Sequence, residues 1–252
     1  MCTLTFYPGS DGYLAGMNRD ELVSRPQALP PAVFERSGFR AIYPRESSGG
    51  TWFACNSACN ALALLNWNAI ATRLGPKRLS RGMLIPELIF ELNSEATDRR
   101  LSMLNLKPLH PFRLVGIFRQ ERTLCEWRWN GAAIHRQTFP WDRRHWFSSS
   151  LSDCQAEVVR GAICLATSPE DAASDWLGRL HRSHVPGPGP YSVCVHRPDA
   201  ATVSYTELET SSTNSTLRYL AGSPCQKREF DCALRLPFRG ISQTAISGRA
   251  IS

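Results

Sequence analysis

Polar and apolar residues alternate from Thr3 to Tyr7, the period of a half-buried strand. Pro8 to Gly12 is a run of turn formers, and Tyr13 to Met17 is a second apolar stretch, so the chain opens as a hairpin. Pairing Tyr7 with Tyr13 sets Cys2 opposite Asn18, with Asp20 just beyond it on the same face. A slip of one residue would present Arg19 instead.

The pattern then loosens. Residues 22–48 read as a loop, punctuated by Pro26, Pro30, Pro31 and Pro44 and made basic by Arg25, Arg36, Arg40 and Arg45. After Gly49-Gly50, which allows a tight turn or a close backbone approach, Thr51 to Asn56 and Asn60 to Trp67 read as a strand and its return. Ala61, Ala63 and Leu65 share one face and Leu62, Leu64 and Asn66 the other, as in a sheet covered on both sides.

Residues 80–106 read as helical. Ser80 caps a first helix carrying Leu84, Leu88 and Leu92, and Ser94 caps a second carrying Leu101 and Leu104. Three strands follow: Arg113 to Gln120, Thr123 to Trp129 and Ala132 to Phe139, the last two joined at Asn130-Gly131. Ser152 to Arg160 reads as a short helix, and Ala162 to Ala166 as a short strand or helix end. A further helix spans 169–183, capped by Ser168 with Glu170 and Asp171 at its start. Tyr191 to His196 and Ala201 to Leu208 read as paired strands beyond the Pro-Gly-rich stretch 185–190. Thr216 to Leu220 and Arg228 to Leu236 read as the final strands. Residues 1–239 read as a single domain and 240–252 as a flexible tail.

Composition narrows the classes. At 42% hydrophobic and 20% charged residues the chain is ordinary for a globular protein. Its net charge of +7 comes from scattered arginines without a run of five, which gives no support to nucleic-acid binding. No stretch approaches the length of a membrane span, and the start lacks a signal-peptide pattern. Nine cysteines without a repeating pattern point to reduced thiols and a cytoplasmic protein. Cys55 with Cys59, and His181 with His184, lack a matching second pair at zinc-site spacing, so no metal site is expected. Trp127, Trp129, Trp141 and Trp146 either fill a core or line an apolar pocket. No motif for a nucleotide cofactor is present, and none is expected.

The candidate chemistry lies at the start. Removal of Met1 would leave Cys2 as a residue carrying both a nucleophilic thiol and an amine poised near neutrality to take its proton. Met1-Cys2-Thr3, Asn18-Arg19-Asp20-Glu21, Ser24-Arg25-Pro26 and Gly49-Gly50-Thr51-Trp52 together resemble the NRDE family, whose eukaryotic branch is the transport and Golgi organisation family. Ser80-Arg81-Gly82, His145 to Leu151 and Ser192 to Thr206 extend the resemblance over most of the chain. That family is in turn similar to N-terminal-nucleophile hydrolases of the bile-salt hydrolase and penicillin V acylase kind.

The resemblance implies an α+β fold, a four-layer αββα sandwich. It implies Cys2, Arg19, Asp20 and Asn56 as catalytic residues, the last through its backbone amide on the turn before Cys59. Asn18, Asn66, Ser149 and Arg197 are the expected substrate contacts. Ser149 stands where relatives carry an asparagine, and the key acid is left open between Asp20 and Glu21. The implied function is hydrolysis of linear amides through a thioester. The alternative is a non-catalytic carrier of an amphipathic small molecule such as haem or an acyl thioester. The oligomeric state is left open.

Overall fold

The structure, a computed structural model, describes residues 2–70, 79–169 and 172–239. Along the chain run β1 (Cys2–Pro8), β2 (Tyr13–Leu22), β3 (Leu29–Arg36), β4 (Phe39–Arg45), β5 (Phe53–Asn56) and β6 (Ala61–Asn66). Helices α1 (Leu84–Leu88) and α2 (Ser94–Ser102) precede β7 (Phe112–Phe118), β8 (Thr123–Trp129), β9 (Ile134–Phe139) and β10 (Arg144–Ser148). Helices α3 (Asp153–Ala166) and α4 (Ala173–His181) precede β11 (Ala200–Thr210), β12 (Asn214–Ala221) and β13 (Cys232–Pro237).

The strands form two antiparallel sheets. One has the order β10-β1-β2-β11-β12-β13 and the other runs β3 to β9 in sequence order. Between them lies a core built from Leu4, Phe6, Tyr13 and Met17 of the first sheet and Ala61, Ala63, Leu65 and Val115 of the second. On the outer face of the second sheet, Leu62, Leu64, Leu114 and Trp127 pack against Leu84, Ile85, Leu88 and Leu101 of α1 and α2. On the outer face of the first, Phe147 packs against Ala156, Cys164, Trp176 and Leu177 of α3 and α4. The layers are therefore helix, sheet, sheet, helix, and the two-sided face pattern of β6 is the expected one. Trp127 and Trp129 lie under the helices, while Trp141 and Trp146 lie between the sheets. All four tryptophans are core.

Several expected elements differ. The supposed loop 22–48 contains β3 and β4, because Pro30 and Pro31 fall on an edge strand, where a missing N–H costs little, and the ladder shifts between Leu29 and Ala32. The cap of α2 is Asn93, whose side chain accepts from the Ala96 N–H, rather than Ser94. Residues 153–166 form one helix capped by Ser152. Helix α4 begins at Ala173, not after Ser168; Glu170 and Asp171 lie outside the described residues, as does the tail from Gly240. Residues 191–196 form no strand apart from one isolated bridge, His196 with Ala201. Val195 gives its N–H to the Thr202 hydroxyl at 2.8 Å instead of to a ladder carbonyl.

Candidate functional site

The opening hairpin carries the site, one residue out of the expected register. Pro8 joins the strand and pairs with Tyr13, and Gly9 to Gly12 close the turn through the Gly9 N–H to the Gly12 carbonyl at 3.0 Å. Gly12 has no room for a Cβ, which would come 1.9 Å from the Thr210 carbonyl oxygen. Cys2 thus stands opposite Arg19, and on its other side opposite Ser148. These three residues share the inner face with Leu4, Phe6 and Met17.

Cys2 is 6% exposed and borders a cleft of about 340 Å³ between the ends of the sheets. Burial pushes its thiol up; Asp20 adds to this, while Arg19 and the Asp20 amide, bonded to the sulfur, favour the thiolate. The Ser148 hydroxyl is buried and has no hydrogen-bond partner among the described residues.

The Arg19 guanidinium stands over Trp52, its carbon 4.3 Å from the ring centroid, and pairs with Glu46 at 2.5 Å. Arg25 joins Glu46 and Glu21 at 3.0 and 2.8 Å, forming an alternating ring of charge at the cleft mouth. The opposite wall depends on a backbone contact. Gly50 and Gly82 approach so closely that a Cβ on either would sit 3.2 Å from the other's backbone, and the Thr51 N–H bonds to the Gly82 carbonyl at 3.0 Å. This contact fixes Trp52 and Arg81 on the cleft. Arg81 is anchored by the Pro111 carbonyl at 2.9 Å, and burial lowers its pKa.

Asp20 occupies the junction of cleft and helix layer. The β2–β11 ladder shifts between Thr202 and Ser204, opposite Asp20 and Arg19. A bulge there bends the strand, and these adjacent residues both border the cleft. Asp20 Oδ1 accepts from the Thr202 hydroxyl at 2.6 Å, and Oδ2 lies 3.5 Å from Arg160 of α3. Burial raises the Asp20 pKa and the Arg160 charge opposes it. Arg160, fully buried, also donates to Thr3 Oγ1 at 2.8 Å and to the Cys2 carbonyl at 3.4 Å.

The expected residues divide. Cys2, Arg19, Asp20, Glu21 and Asn66 border the cleft. Asn18 does not face Cys2. The one-residue slip turns it to the helix layer, where its amide donates to the His181 and Val193 carbonyls, both at 2.9 Å. Asn56 does not offer its backbone amide to the cleft, because that N–H bonds to Asn60 O at 2.9 Å. Its side chain accepts from Ala58 and Asn60, which holds Cys59 at a φ of 59°, a left-handed conformation that favours glycine. Ser149 shapes the entry to α3, its oxygen accepting from the Leu151 N–H and its own N–H bonding to Asp153. Arg197 clamps Asp199 at 2.6 and 3.0 Å and donates to Ser150, stapling the turn before β11.

Trp52, Arg81 and Ser148 lie inside the motifs that carry the family resemblance; Glu46 and Arg160 carry no signal short of the fold. The cleft's carboxylates are paired with arginines and its thiol is single. Among the described residues, the one grouping of three or more metal-type ligands lies elsewhere, at His184, Cys194, His196 and Cys225. No described helix is long and apolar enough to cross a membrane.

Comparison with known proteins agrees with this architecture. The conjugated bile acid hydrolase from Clostridium perfringens, solved as a C2A mutant, superposes with a TM-score of 0.54 at 9% identity, covering 93% of this chain and 92% of that one. Penicillin V acylase from Agrobacterium tumefaciens matches with a TM-score of 0.48 at 10% identity, over 88% of this chain and 83% of that one. At such identity the first likeness establishes the fold alone, that of an N-terminal-nucleophile hydrolase. No curated protein matches the chain in sequence. Residues 1–170 match the family described as Transport and Golgi organisation 2. With its opening hairpin, the Gly-Gly-Thr-Trp wall and Ser80-Arg81-Gly82 all inside that span, the chain belongs to the Transport and Golgi organisation 2 family.

Proposed function

We propose that the protein is a cytoplasmic N-terminal-cysteine hydrolase of linear amides. The observation that carries this is the convergence of Cys2, Arg19 and Asp20 at one end of a cleft that also holds Arg81 and Asn66. With Met1 removed, the α-amine takes the Sγ proton as sulfur attacks the amide carbonyl carbon. Asp20, already oriented by Thr202 and Arg160, holds the resulting ammonium. The Asn56 amide is bonded to Asn60 and Ser149 is not among the residues bordering the cleft, so this role falls to the Asn66 amide on the cleft wall and the unpartnered Ser148 hydroxyl. The C–N bond breaks, the ammonium returns its proton to the leaving amine, and a thioester remains. Water then attacks the thioester, releasing the acid and restoring the thiol. Arg19, Arg25 and Arg81 favour a substrate with a carboxylate or phosphate, and Trp52, Leu64 and Leu79 favour an apolar body beside it. The nine free thiols suit a reducing compartment.

The displaced oxyanion residues give the rival reading its weight: the same cleft would serve as a carrier site for an amphipathic anion. Intact mass before and after reaction with a thiol-reactive amide or lactam separates the two. The expected result is a chain lacking Met1 with one adduct on Cys2, absent in Cys2→Ala. A retained Met1 removes the base and overturns the hydrolase.

A further inference from the structure

From Arg182 to Asp199 the chain forms neither helix nor strand, apart from one isolated bridge at His196. Segments of that length need another anchor. Yet Val193, Cys194 and Val195 are fully buried. Four side chains meet at this point: His184, Cys194 and His196 of the segment, and Cys225 from the turn after β12. Each offers one nitrogen or sulfur, and all four atoms lie within 4.8 Å of one another. His196 Nε2 sits 3.2 Å from Cys225 Sγ and 3.7 Å from Cys194 Sγ, and the His184 and His196 rings are 4.9 Å apart. His184 Nε2 is buried with no hydrogen-bond partner among the described residues.

Hydrogen bonding alone accounts poorly for this knot, since one imidazole nitrogen faces two sulfurs while a second nitrogen is left without a partner. A tetrahedral ion does account for it. Zinc held by two thiolates and two imidazoles sets its ligand atoms roughly 3.3–3.8 Å apart, the scale of the contacts between His196 and the two sulfurs. The donors are sulfur and nitrogen only, which disfavours magnesium and calcium.

We propose that His184, Cys194, His196 and Cys225 bind a structural Zn2+ ion, closing the loop 184–194 and tying it to the turn after β12. The two thiols release their protons to solvent as the ion binds. The clip backs the candidate active site, because Val195 bonds to Thr202, which bonds to Asp20. It holds whether or not the cleft is catalytic. The sequence hid it: His181, the apparent partner of His184, is buried beneath Thr5 at 3.1 Å, and the true ligands follow no C-x-x-C spacing.

The test is elemental analysis of the purified full chain after incubation with Zn2+ and removal of unbound metal. One zinc per chain is expected, and Co2+ in its place should give the visible bands and thiolate charge transfer of a tetrahedral site. Cys225→Ser and His184→Ala should reduce zinc to background, whereas Cys154→Ser, at an exposed thiol on α3, should retain it. The wild-type zinc content and cobalt spectrum decide the matter even where a variant fails to fold. Absence of both, zinc unaffected in the two ligand variants, or a Cys194–Cys225 disulfide in the freshly purified chain would overturn the proposal.

Discussion

The two faces of the opening hairpin are built on opposite principles. The inner face is apolar from Leu4 and Phe6 through Ala15 and Met17, and turns polar only at its last pair, Cys2 and Arg19. The outer face is buried just as deeply but is polar: Thr3, Thr5, Asn18 and Asp20 are at most 1% exposed. One face gains from area removed from water, while the other must satisfy every donor and acceptor it hides. Arg160, His181 and Thr202 supply much of that pairing, although Asn18 Oδ1 and His181 Nδ1 stay buried without a hydrogen-bond partner among the described residues. The inner face supports Cys2 by packing, and the outer face supports Asp20 by a polar network whose loss is costly.

Breaking each face separately would sharpen that contrast. Phe6 is fully buried against Trp141 and Tyr13, with ring centroids at 4.7 and 5.6 Å. Phe6→Ala should cost about 4 kcal/mol in denaturant unfolding by opening a cavity between the sheets. Arg160→Met keeps much of the volume but leaves the Asp20 carboxylate without its buried cation. It should cost about 3 kcal/mol and abolish labelling of Cys2 by the amide probe. Stability unchanged by Arg160→Met would show the outer network to be dispensable.

The subtlest expected effect is a slope. Thr5 Oγ1 lies 3.1 Å from both His145 Nδ1 and His181 Nε2. Burial, reinforced by Arg143, pushes His145 down to about 4; burial, reinforced by His145 and Arg182, pushes His181 down to about 3. Both folded values lie below the ordinary 6.5, so their contribution is complete above pH 6.5 and is lost as pH falls toward 3 to 4. Asp20, raised by burial, opposes this loss at the acid end. His181→Gln should flatten the fall in stability between pH 6 and 4.5 by up to about 1.4 kcal/mol per pH unit. An unchanged slope would mean that His181 takes up its proton while folded.

The difference between the faces also explains what could be read in advance. Alternation at Thr3 to Tyr7 and apolar two-sidedness at Ala61 to Leu65 are local and repeated, so the hairpin and a sheet covered on both faces are legible, while the four layers come with the family resemblance. The register was off by one because it turned on whether Pro8 belonged to the turn or the strand, which Thr210, nearly two hundred residues away, helps decide. Cys2, Arg19 and Asp20 were legible because one short hairpin supplies all three. Arg160, Glu46 and the His184–Cys225 knot were not, since each acquires its role from a neighbour distant in sequence. Asn56 and Ser149 stand away from the cleft for a related reason: the Asn56 amide is claimed by its own turn, and the Ser149 oxygen accepts N–H groups at the entry to α3.

If Met1 is removed as proposed, the placement of β1 has a further meaning for Cys2. A terminal residue has a single covalent tether and ordinarily frays. Cys2 is flanked by β10 on one side and β2 on the other, and its carbonyl is held by an arginine from α3. In the proposed mature chain those non-covalent ties would stand in for the missing peptide bond. In the proposed hydrolase, the rotational freedom that a free end would have to surrender at each turnover would be surrendered once, when the protein folds.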